Sequence, residues 1–224
     1  MSWWQSAVAV VAATVAAAAA LVRRKPGTPE PLGRLMRERR ALAVLEGPRV
    51  YYCLGAGGSD PDAPSPCGPY RPRAGEDPVR VKIRRAAGRV WLDCSGAVAW
   101  VLGVPRKIAG YARGFGWFST DGVIKDANDP EVDLVEWVAA GEPIVPWTCL
   151  AVYGSIDKDG DGDRDSIGHI GIVAAVPDGW VYDGPASIAA LSVWHCAASA
   201  SPTGAVRISD GAPWARRGRL VRVV

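Results

Sequence analysis

Short apolar runs in the second half of the chain place the tightest limit on its fold. They are rich in β-branched and aromatic residues and too short for helices, so each run predicts a strand. These predicted strands are residues 149–153, 169–176, 180–182 and 191–196. Upstream, strands are predicted at 79–83 and 90–92, and helices at 97–102 and 132–140. Because helices come first and strands then follow one another, the sequence predicts an α+β fold rather than a doubly wound parallel sheet.

The composition fits one globular domain with an appendage. The chain has 224 residues, of which 49% are hydrophobic and 22% charged, and this balance argues against wholesale disorder. The net charge of +3 lacks the strong basic footprint of a nucleic-acid-binding protein, so no nucleic acid partner is expected. Five cysteines are too sparse for a disulfide scaffold. Cys53, Cys67, Cys149 and Cys196 are expected to be buried thiols, with a Cys53–Cys67 bridge as the alternative.

The first 22 residues carry no charged side chain, and residues 7–22 are almost wholly apolar. As a helix rising about 1.5 Å per residue, this segment is about 33 Å long, which is enough to cross a bilayer's hydrocarbon core. Trp3 and Trp4 suit one membrane interface, and the basic residues 23–25 suit the other. We therefore expect a hydrophobic, transmembrane-like helix at 1–25. A cleaved signal peptide, which lacks its usual basic start here, and a buried soluble helix are the alternatives.

Residues 26–47 connect this segment to the main domain, residues 48–224. The sequence PGTPEP at 26–31 predicts an extended linker. Hydrophobic spacing over 32–45 predicts a helix, and its basic run at 37–40 predicts a solvated face. Binding of that basic face to anionic lipid or to another partner is the alternative.

A cysteine lies where a short strand gives way to an apolar helical run. Asp93-Cys94-Ser95-Gly96 places Cys94 near a helix N-terminus, with Asp93 available as the cap. Unpaired N–H groups and the positive end of the helix dipole favour a thiolate at such a position. Cys94 is therefore a candidate nucleophile, although a single cysteine is more often a small buried hydrophobic residue.

Both histidines of the chain lie on predicted strands downstream of Cys94. His169 has a glycine on one side and another two residues later, and His195 precedes Cys196 at the end of its strand. Glycines clear space for another backbone or for a substrate. The arrangement fits a Cys/His nucleophilic pair, and hydrogen-bonded structural histidines are the alternative.

These motifs resemble the NlpC family of papain-like cysteine hydrolases, and the related CHAP amidases and peptidases, which share its fold and its order of cysteine before histidine. The segments that carry the resemblance are Asp93-Cys94-Ser95-Gly96-Ala97-Val98 and Gly168-His169-Ile170-Gly171-Ile172-Val173. Phage- and prophage-encoded members also resemble the chain at Tyr52-Cys53-Leu54-Gly55-Ala56-Gly57-Gly58 and at His195-Cys196-Ala197. The likeness spans roughly residues 48–215. Ala97 and Ala197 replace the bulkier residue and the serine usual at those positions.

The resemblance implies a papain-like fold, in which N-terminal helices pack on an antiparallel β-sheet, here preceded by the hydrophobic helix. It also implies roles for four side chains. Cys94 would attack an amide carbonyl, His169 would act as base and then acid, and His195 would orient the His169 ring. The Cys94 N–H and the Tyr52 hydroxyl would hold the oxyanion.

The activity so implied is cleavage of peptidoglycan stem peptides by a cysteine endopeptidase or amidase that requires no cofactor. The hydrophobic segment suits an enzyme anchored in a membrane, or one carried by a virion that meets the bacterial envelope. One alternative is an inactive cell-wall-binding or structural virion protein with the same fold. The other is a thiol hydrolase or acyltransferase facing the cytoplasm, which the basic residues after the span favour.

An acidic loop precedes His169. Its aspartates alternate with glycine and basic residues, and they are Asp157, Asp159, Asp161, Asp163 and Asp165. Positions 1, 3, 5, 6 and 9 match a calcium loop, but Gly168 stands where a bidentate glutamate is expected. A structural Ca²⁺ that orders the histidine strand and a solvated hairpin loop are the two interpretations.

Overall fold

The computed structural model describes residues 28–131, 133–157, 166–198 and 204–224. The predicted helix at 1–25 lies outside these ranges, as does most of the predicted calcium loop, namely Asp159, Asp161, Asp163 and Asp165. Within the described ranges, no helix is both long enough and apolar enough to cross a membrane.

Five α-helices, two short 3₁₀-helices (Pro185–Ala190 and Ala212–Trp214) and eight strands form in the part of the chain that the structure describes. The helices are α1 (Arg34–Glu46), α2 (Pro78–Ala86), α3 (Cys94–Leu102), the single turn α4 (Tyr111–Gly114) and α5 (Thr120–Ala127). The strands are β1 (Val50–Tyr52), β2 (Val90–Leu92), β3 (Val135–Trp137), β4 (Cys149–Tyr153), β5 (His169–Ala175), β6 (Ser192–Cys196), β7 (Val206–Asp210) and β8 (Arg219–Val223). The α+β prediction is confirmed. So are the helices predicted at 32–45 and 97–102 and the strands predicted at 90–92, 149–153, 169–176 and 191–196.

Among the described strands, six form one antiparallel sheet in the order β3-β8-β4-β5-β6-β7, and β1 and β2 form a separate parallel pair. Side chains alternate between the faces of a strand, so His169 and Gly171 share one face of β5. His195 on β6 is directly opposite Gly171. The register therefore brings both imidazoles to the same face of adjacent strands.

Helix α3 is buried along its whole length, as expected for a helix that is apolar on every side. It packs against β5 and β6, the strands that carry the histidines. The helix ends at Gly103, whose left-handed conformation (φ 74°) closes the last turn with hydrogen bonds to the carbonyl groups of Ala99 and Trp100. The N-terminus of α3 is thus fixed relative to the central strands.

Helix α1 belongs to the same core. Ala41 and Val44 are buried in it, and the indole Nε1 of Trp194 donates to the carbonyl of Ala41 at 3.1 Å. The predicted solvated face is wrong for Arg37, which is buried and donates to the carbonyl of Trp147 at 3.2 Å. Arg39, in contrast, is exposed. A part of residues 26–47 therefore helps to build the domain core.

The strand predicted at 79–83 is wrong, because these residues lie in α2. The side chain of Asp77 caps the helix through the N–H of Val79 at 2.9 Å, and Pro78 occupies its first turn. Val79 and Ile83 are 64% and 63% exposed, so the alternating pattern that predicts a strand does not face the core. The helix cap formed by Asp77 therefore decides the structure of this segment, and the alternation of apolar residues does not.

The helix predicted at 132–140 is also wrong, because strand β3 lies in this segment. The buried carboxylate of Asp126 accepts hydrogen bonds from the N–H groups of Asp133, Leu134 and Val135 at 2.8, 2.9 and 3.1 Å. These bonds replace the first turn that a helix needs, and β3 pairs with β8 instead.

Residues 180–182 form no strand, so that prediction is also wrong. Trp180 and Tyr182 bond to neighbouring loops, and Tyr182 N–H donates to the carbonyl of Glu142 at 3.2 Å.

The prediction of buried free thiols is confirmed for Cys53, Cys149 and Cys196, and Cys67 is free but only partly buried. The alternative Cys53–Cys67 bridge is not formed. The Cys53 thiol donates instead to the carbonyl of Arg71 at 3.3 Å.

Candidate active site

The first residue of α3 is Cys94, as the sequence predicts. Asp93 caps the helix, with Oδ1 accepting a hydrogen bond from the N–H of Gly96 at 2.6 Å. Cys94 is 3% exposed. The junction between β2 and α3 therefore holds the thiol at the positive end of a buried helix.

Three donors surround the Cys94 sulfur: the N–H groups of Ser95 and Ile170 and the hydroxyl of Tyr52. They favour the thiolate, but burial and the neighbouring carboxylate of Asp93 have the larger effect and raise the pKa of Cys94 to about 12. Burial also raises the pKa of Tyr52, so its hydroxyl stays protonated and able to donate. The resting thiol is therefore neutral at pH 7.

The two histidines are hydrogen-bonded to each other. Nε2 of His169 lies 2.9 Å from Nδ1 of His195, with the rings nearly perpendicular at 82°. Gly171 makes this contact possible, because a Cβ at that position would lie 3.0 Å from the His195 Cβ and 2.6 Å from Val193. The glycine after His169 thus clears space for its neighbouring strand, as the sequence predicts.

Burial keeps both imidazoles neutral. Burial, with a smaller contribution from the positive charge of Arg207, lowers the pKa of His169 to about 4. Burial, followed by the neighbouring His169 and by Arg207, lowers the pKa of His195 to about 3. A neutral imidazole can accept a proton, as a general base must.

The sequence did not reveal the residues that surround this pair. Trp214 stacks on His169 with ring centres 5.2 Å apart and planes inclined by 23°. Ser209 Oγ lies 2.9 Å from Nε2 of His195, and Arg207 Nε donates to the same nitrogen at 3.4 Å. Alternation along β7, which places Arg207 and Ser209 on one face, is the signal that could have found them.

A buried ion pair fixes the loop in front of the thiol. Arg106 and Asp93, 4% and 1% exposed, lie 3.0 Å apart, and Arg106 also donates to Ser95 Oγ at 3.0 Å. Asp93 Oδ2 accepts from the N–H of Gly55 at 2.6 Å. The network ties α3 to the glycine-rich segment after Tyr52, and Arg106 is a second group that the sequence did not reveal.

The glycines of that segment are required by close packing. Gly58 has φ 64°, and a Cβ there would lie 2.1 Å from the carbonyl oxygen of Gly96 in α3. A Cβ on Gly57 would lie 2.3 Å from the carbonyl oxygen of Pro66. Only glycine lets the backbone approach the first turn of α3 so closely.

The predicted site residues thus form two contacting pairs. Tyr52 touches Cys94, and His169 touches His195. Ile170 connects the pairs, since it follows His169 directly and its N–H binds the thiol.

Only the two ends of the acidic loop, up to Asp157 and from Ser166 onward, lie within the described residues. Its ends are paired by hydrogen bonds between the backbones of Ile156 and Ser166, at 2.9 and 3.1 Å. Asp157 is the one aspartate of the set within the described residues, and those residues hold no group of three or more potential metal ligands. Ca²⁺ binding by the whole loop stays a prediction.

Comparison of this chain with family models, with curated proteins and with solved structures finds no match in any of the three. The chemical interpretation therefore depends on the arrangement of the side chains and on the motifs themselves.

Proposed function

We propose that this chain is a cysteine hydrolase of the NlpC/CHAP type, with a papain-like fold, that cleaves amide bonds of peptidoglycan stem peptides. Its hydrophobic N-terminal segment would attach it to a membrane or to a virion, so that it acts in the bacterial envelope. The activity needs no cofactor, and a Ca²⁺ in the acidic loop would have a structural role.

One observation carries this proposal. Cys94 begins helix α3, which packs against β5 and β6, and the Tyr52 hydroxyl acts on the pKa of its thiol. His169 on β5 is hydrogen-bonded to His195 on β6 at 2.9 Å. A nucleophile at a helix N-terminus, a donor beside it and a coupled pair of imidazoles are the parts that acyl transfer requires.

In the proposed reaction, His169 takes the proton of Cys94 as the sulfur attacks the amide carbon. The developing oxyanion is held by the Cys94 N–H and the Tyr52 hydroxyl. The C–N bond then breaks, and His169 gives the proton to the leaving amine, which leaves a thioester. Water, deprotonated by His169, attacks the thioester to release a carboxylate and restore the thiol. His195 keeps the His169 ring in position throughout.

A second candidate function is an inactive cell-wall-binding or structural virion protein with the same fold. The burial of Cys94 favours it, because burial and the neighbouring carboxylate of Asp93 raise the pKa of the thiol to about 12. A protein that has lost its catalytic activity but kept the fold would retain such a buried, unreactive cysteine.

Incubation of the full chain with purified peptidoglycan, with and without Ca²⁺, tests the proposal. Cys149→Ala is the matched control, since Cys149 is a buried free thiol outside the site. Mass spectrometry should identify the same muropeptide fragments from wild type and Cys149→Ala, and none from Cys94→Ala. Release of the same fragments by Cys94→Ala, or of none by wild type under any condition, contradicts the proposal and favours the binding protein.

A further inference from the structure

A cleft of about 750 Å³ lies beside the proposed active site. It is bounded by β1, by the segment 70–76 and by the residues that follow β6. We name it the arginine cleft, because among its described lining residues five are arginines and one is acidic. The arginines are Arg49, Arg71, Arg73, Arg84 and Arg89.

The one acidic residue among the described lining residues of the arginine cleft, Glu76, is ion-paired with Arg84. Glu76 accepts hydrogen bonds from the Tyr70 hydroxyl at 2.6 and 2.5 Å and from Arg84 at 2.7 Å. These contacts lower the pKa of Glu76, with the Tyr70 bond as the largest cause, so the carboxylate stays charged and paired with Arg84. The other arginines leave the cleft with a positive potential.

Aromatic rings form the wall behind these charges. Trp91 lies against Tyr51 and Tyr70, with ring centres 5.5 and 4.8 Å apart. The guanidinium of Arg89 sits 4.5 Å from the centre of the Tyr51 ring, which limits its motion. Arginines held on an aromatic wall suit a ligand with carboxylates on a compact backbone, because a guanidinium binds a carboxylate through two parallel hydrogen bonds.

The arginine cleft borders the proposed active site through Tyr52, which lines the cleft and acts on the pKa of the Cys94 thiol. Ala197, two residues after His195, also lines the cleft. A ligand in the cleft would therefore lie next to the proposed active site.

We infer that the arginine cleft binds the acidic part of the peptide substrate, recognising its carboxylates with Arg71 and Arg73 at the exposed rim. This inference rests on the proposed function, because it takes the ligand to be the peptide next to the scissile bond. It adds a specificity site that prefers substrates with at least two carboxylates.

The test measures binding without hydrolysis. Full-length Cys94→Ala in mild detergent is titrated by calorimetry with acetyl-Ala-Glu-Glu-Ala-amide and with the same peptide carrying Gln in place of Glu. The Glu peptide should bind about tenfold more tightly, and its affinity should fall as salt is raised. Adding Arg71→Glu and Arg73→Glu should remove this preference, because the repelled carboxylates no longer find guanidinium partners.

Arg39→Glu, an exposed arginine on α1 outside the cleft, is the matched control and should leave the preference intact. Arg71→Gln with Arg73→Gln keeps the test valid if charge reversal unfolds the chain. Equal affinity for both peptides, binding of neither, or the same loss with Arg39→Glu overturns the inference. If the Glu peptide binds but wild type does not cleave peptidoglycan, the arginine cleft is supported as a binding site and the proposed hydrolase activity is contradicted. If wild type cleaves peptidoglycan but the Glu peptide is not preferred, the hydrolase activity is supported and the arginine cleft is contradicted.

Discussion

The candidate site has two halves whose pKa values are shifted in opposite directions. The thiol half is Cys94 with Tyr52 and the Asp93–Arg106 pair, and burial raises the pKa of its thiol to about 12. The imidazole half is the His169–His195 pair, and burial lowers its pKa values to about 4 and about 3. Both shifts favour the neutral form, so the resting site does not hold a thiolate–imidazolium ion pair.

The two halves differ in the groups that would act on a thiolate at Cys94 or on an imidazolium at His169 during the reaction. The thiol half contains hydrogen-bond donors aimed at the sulfur, namely the Tyr52 hydroxyl and the N–H groups of Ser95 and Ile170. The imidazole half contains a cation, Arg207, which opposes a positive ring. A positive charge on His169 is therefore disfavoured, and the proton is expected to leave His169 quickly for the amine.

Removing the imidazole half should have the largest effect. His169→Ala is expected to lower kcat/KM about a thousandfold, because the thiol then has no base. His195→Ala should cost about a hundredfold, since the His169 ring loses its partner but stays present. The rate of fragment release from peptidoglycan measures both. His169→Ala with wild-type activity would show that another group deprotonates Cys94.

Breaking the ion pair behind the thiol should cost stability. Arg106→Met leaves the carboxylate of Asp93 buried without its cation, and the free energy of unfolding should fall by about 3 kcal/mol. Arg222→Met is the matched control, because its ion pair with Glu142 at 3.0 Å is about one-third exposed. That pair should contribute about 0.5 kcal/mol. Urea denaturation measures both variants, and equal losses would contradict the argument from burial.

The double variant Asp93→Asn with Arg106→Met sharpens this test. It removes both charges together, so it should recover part of the stability that Arg106→Met loses. If the double variant is no more stable than the single one, the loss comes from packing around Arg106 rather than from an unpaired carboxylate.

Tyr52→Phe should have the next largest effect, because it removes one hydrogen-bond donor from the thiol half. We expect kcat to fall about a hundredfold, and the Cys94 pKa to rise further, since the Tyr52 bond lowers it. The rate of Cys94 alkylation by iodoacetamide against pH reports the pKa without any substrate. Tyr51→Phe is the matched control and should change neither quantity. An unchanged alkylation profile in Tyr52→Phe would show that the hydroxyl does not stabilise the thiolate.

Local patterns were enough to locate the principal side chains of the site. Asp93 before an apolar run predicted the cap of α3, and the short apolar runs predicted the strands of His169 and His195. These signals lie within a few residues of the groups they locate. The fold class followed from the same runs, because consecutive strands favour an antiparallel meander.

The failures come from contacts between distant residues. Nothing near Arg106 indicates that its guanidinium is buried against Asp93, and nothing near 132–140 indicates that Asp126 binds its N–H groups. The strand wrongly predicted at 79–83 has a different cause. The local sequence contains both a helix start, Asp77 followed by Pro78, and an alternation of apolar and basic residues that is typical of a strand. Hydrogen bonds and ion pairs that buried carboxylates make with residues distant in the chain cannot be predicted from a single sequence.

Arg207→Gln should have the smallest effect, and its sign tests the imidazole half directly. The positive charge of Arg207 lowers the pKa values of His169 and His195, so its removal should raise them toward the ordinary value of 6.5. Because the base must be neutral, the acid limb of kcat/KM should move to higher pH, by less than about one unit.

The pH profile of fragment release between pH 3 and pH 7 measures this shift, with Arg39→Gln as a control that removes an exposed charge on α1. A shift of the acid limb to lower pH, or an equal shift in Arg39→Gln, would mean that Arg207 does not act through the histidines. An upward shift confined to Arg207→Gln would instead show that the imidazole half is kept neutral by two separate causes, burial and a neighbouring cation. The thiol half, which has only donors around its sulfur besides Asp93, should then keep its alkylation profile unchanged in the same variant.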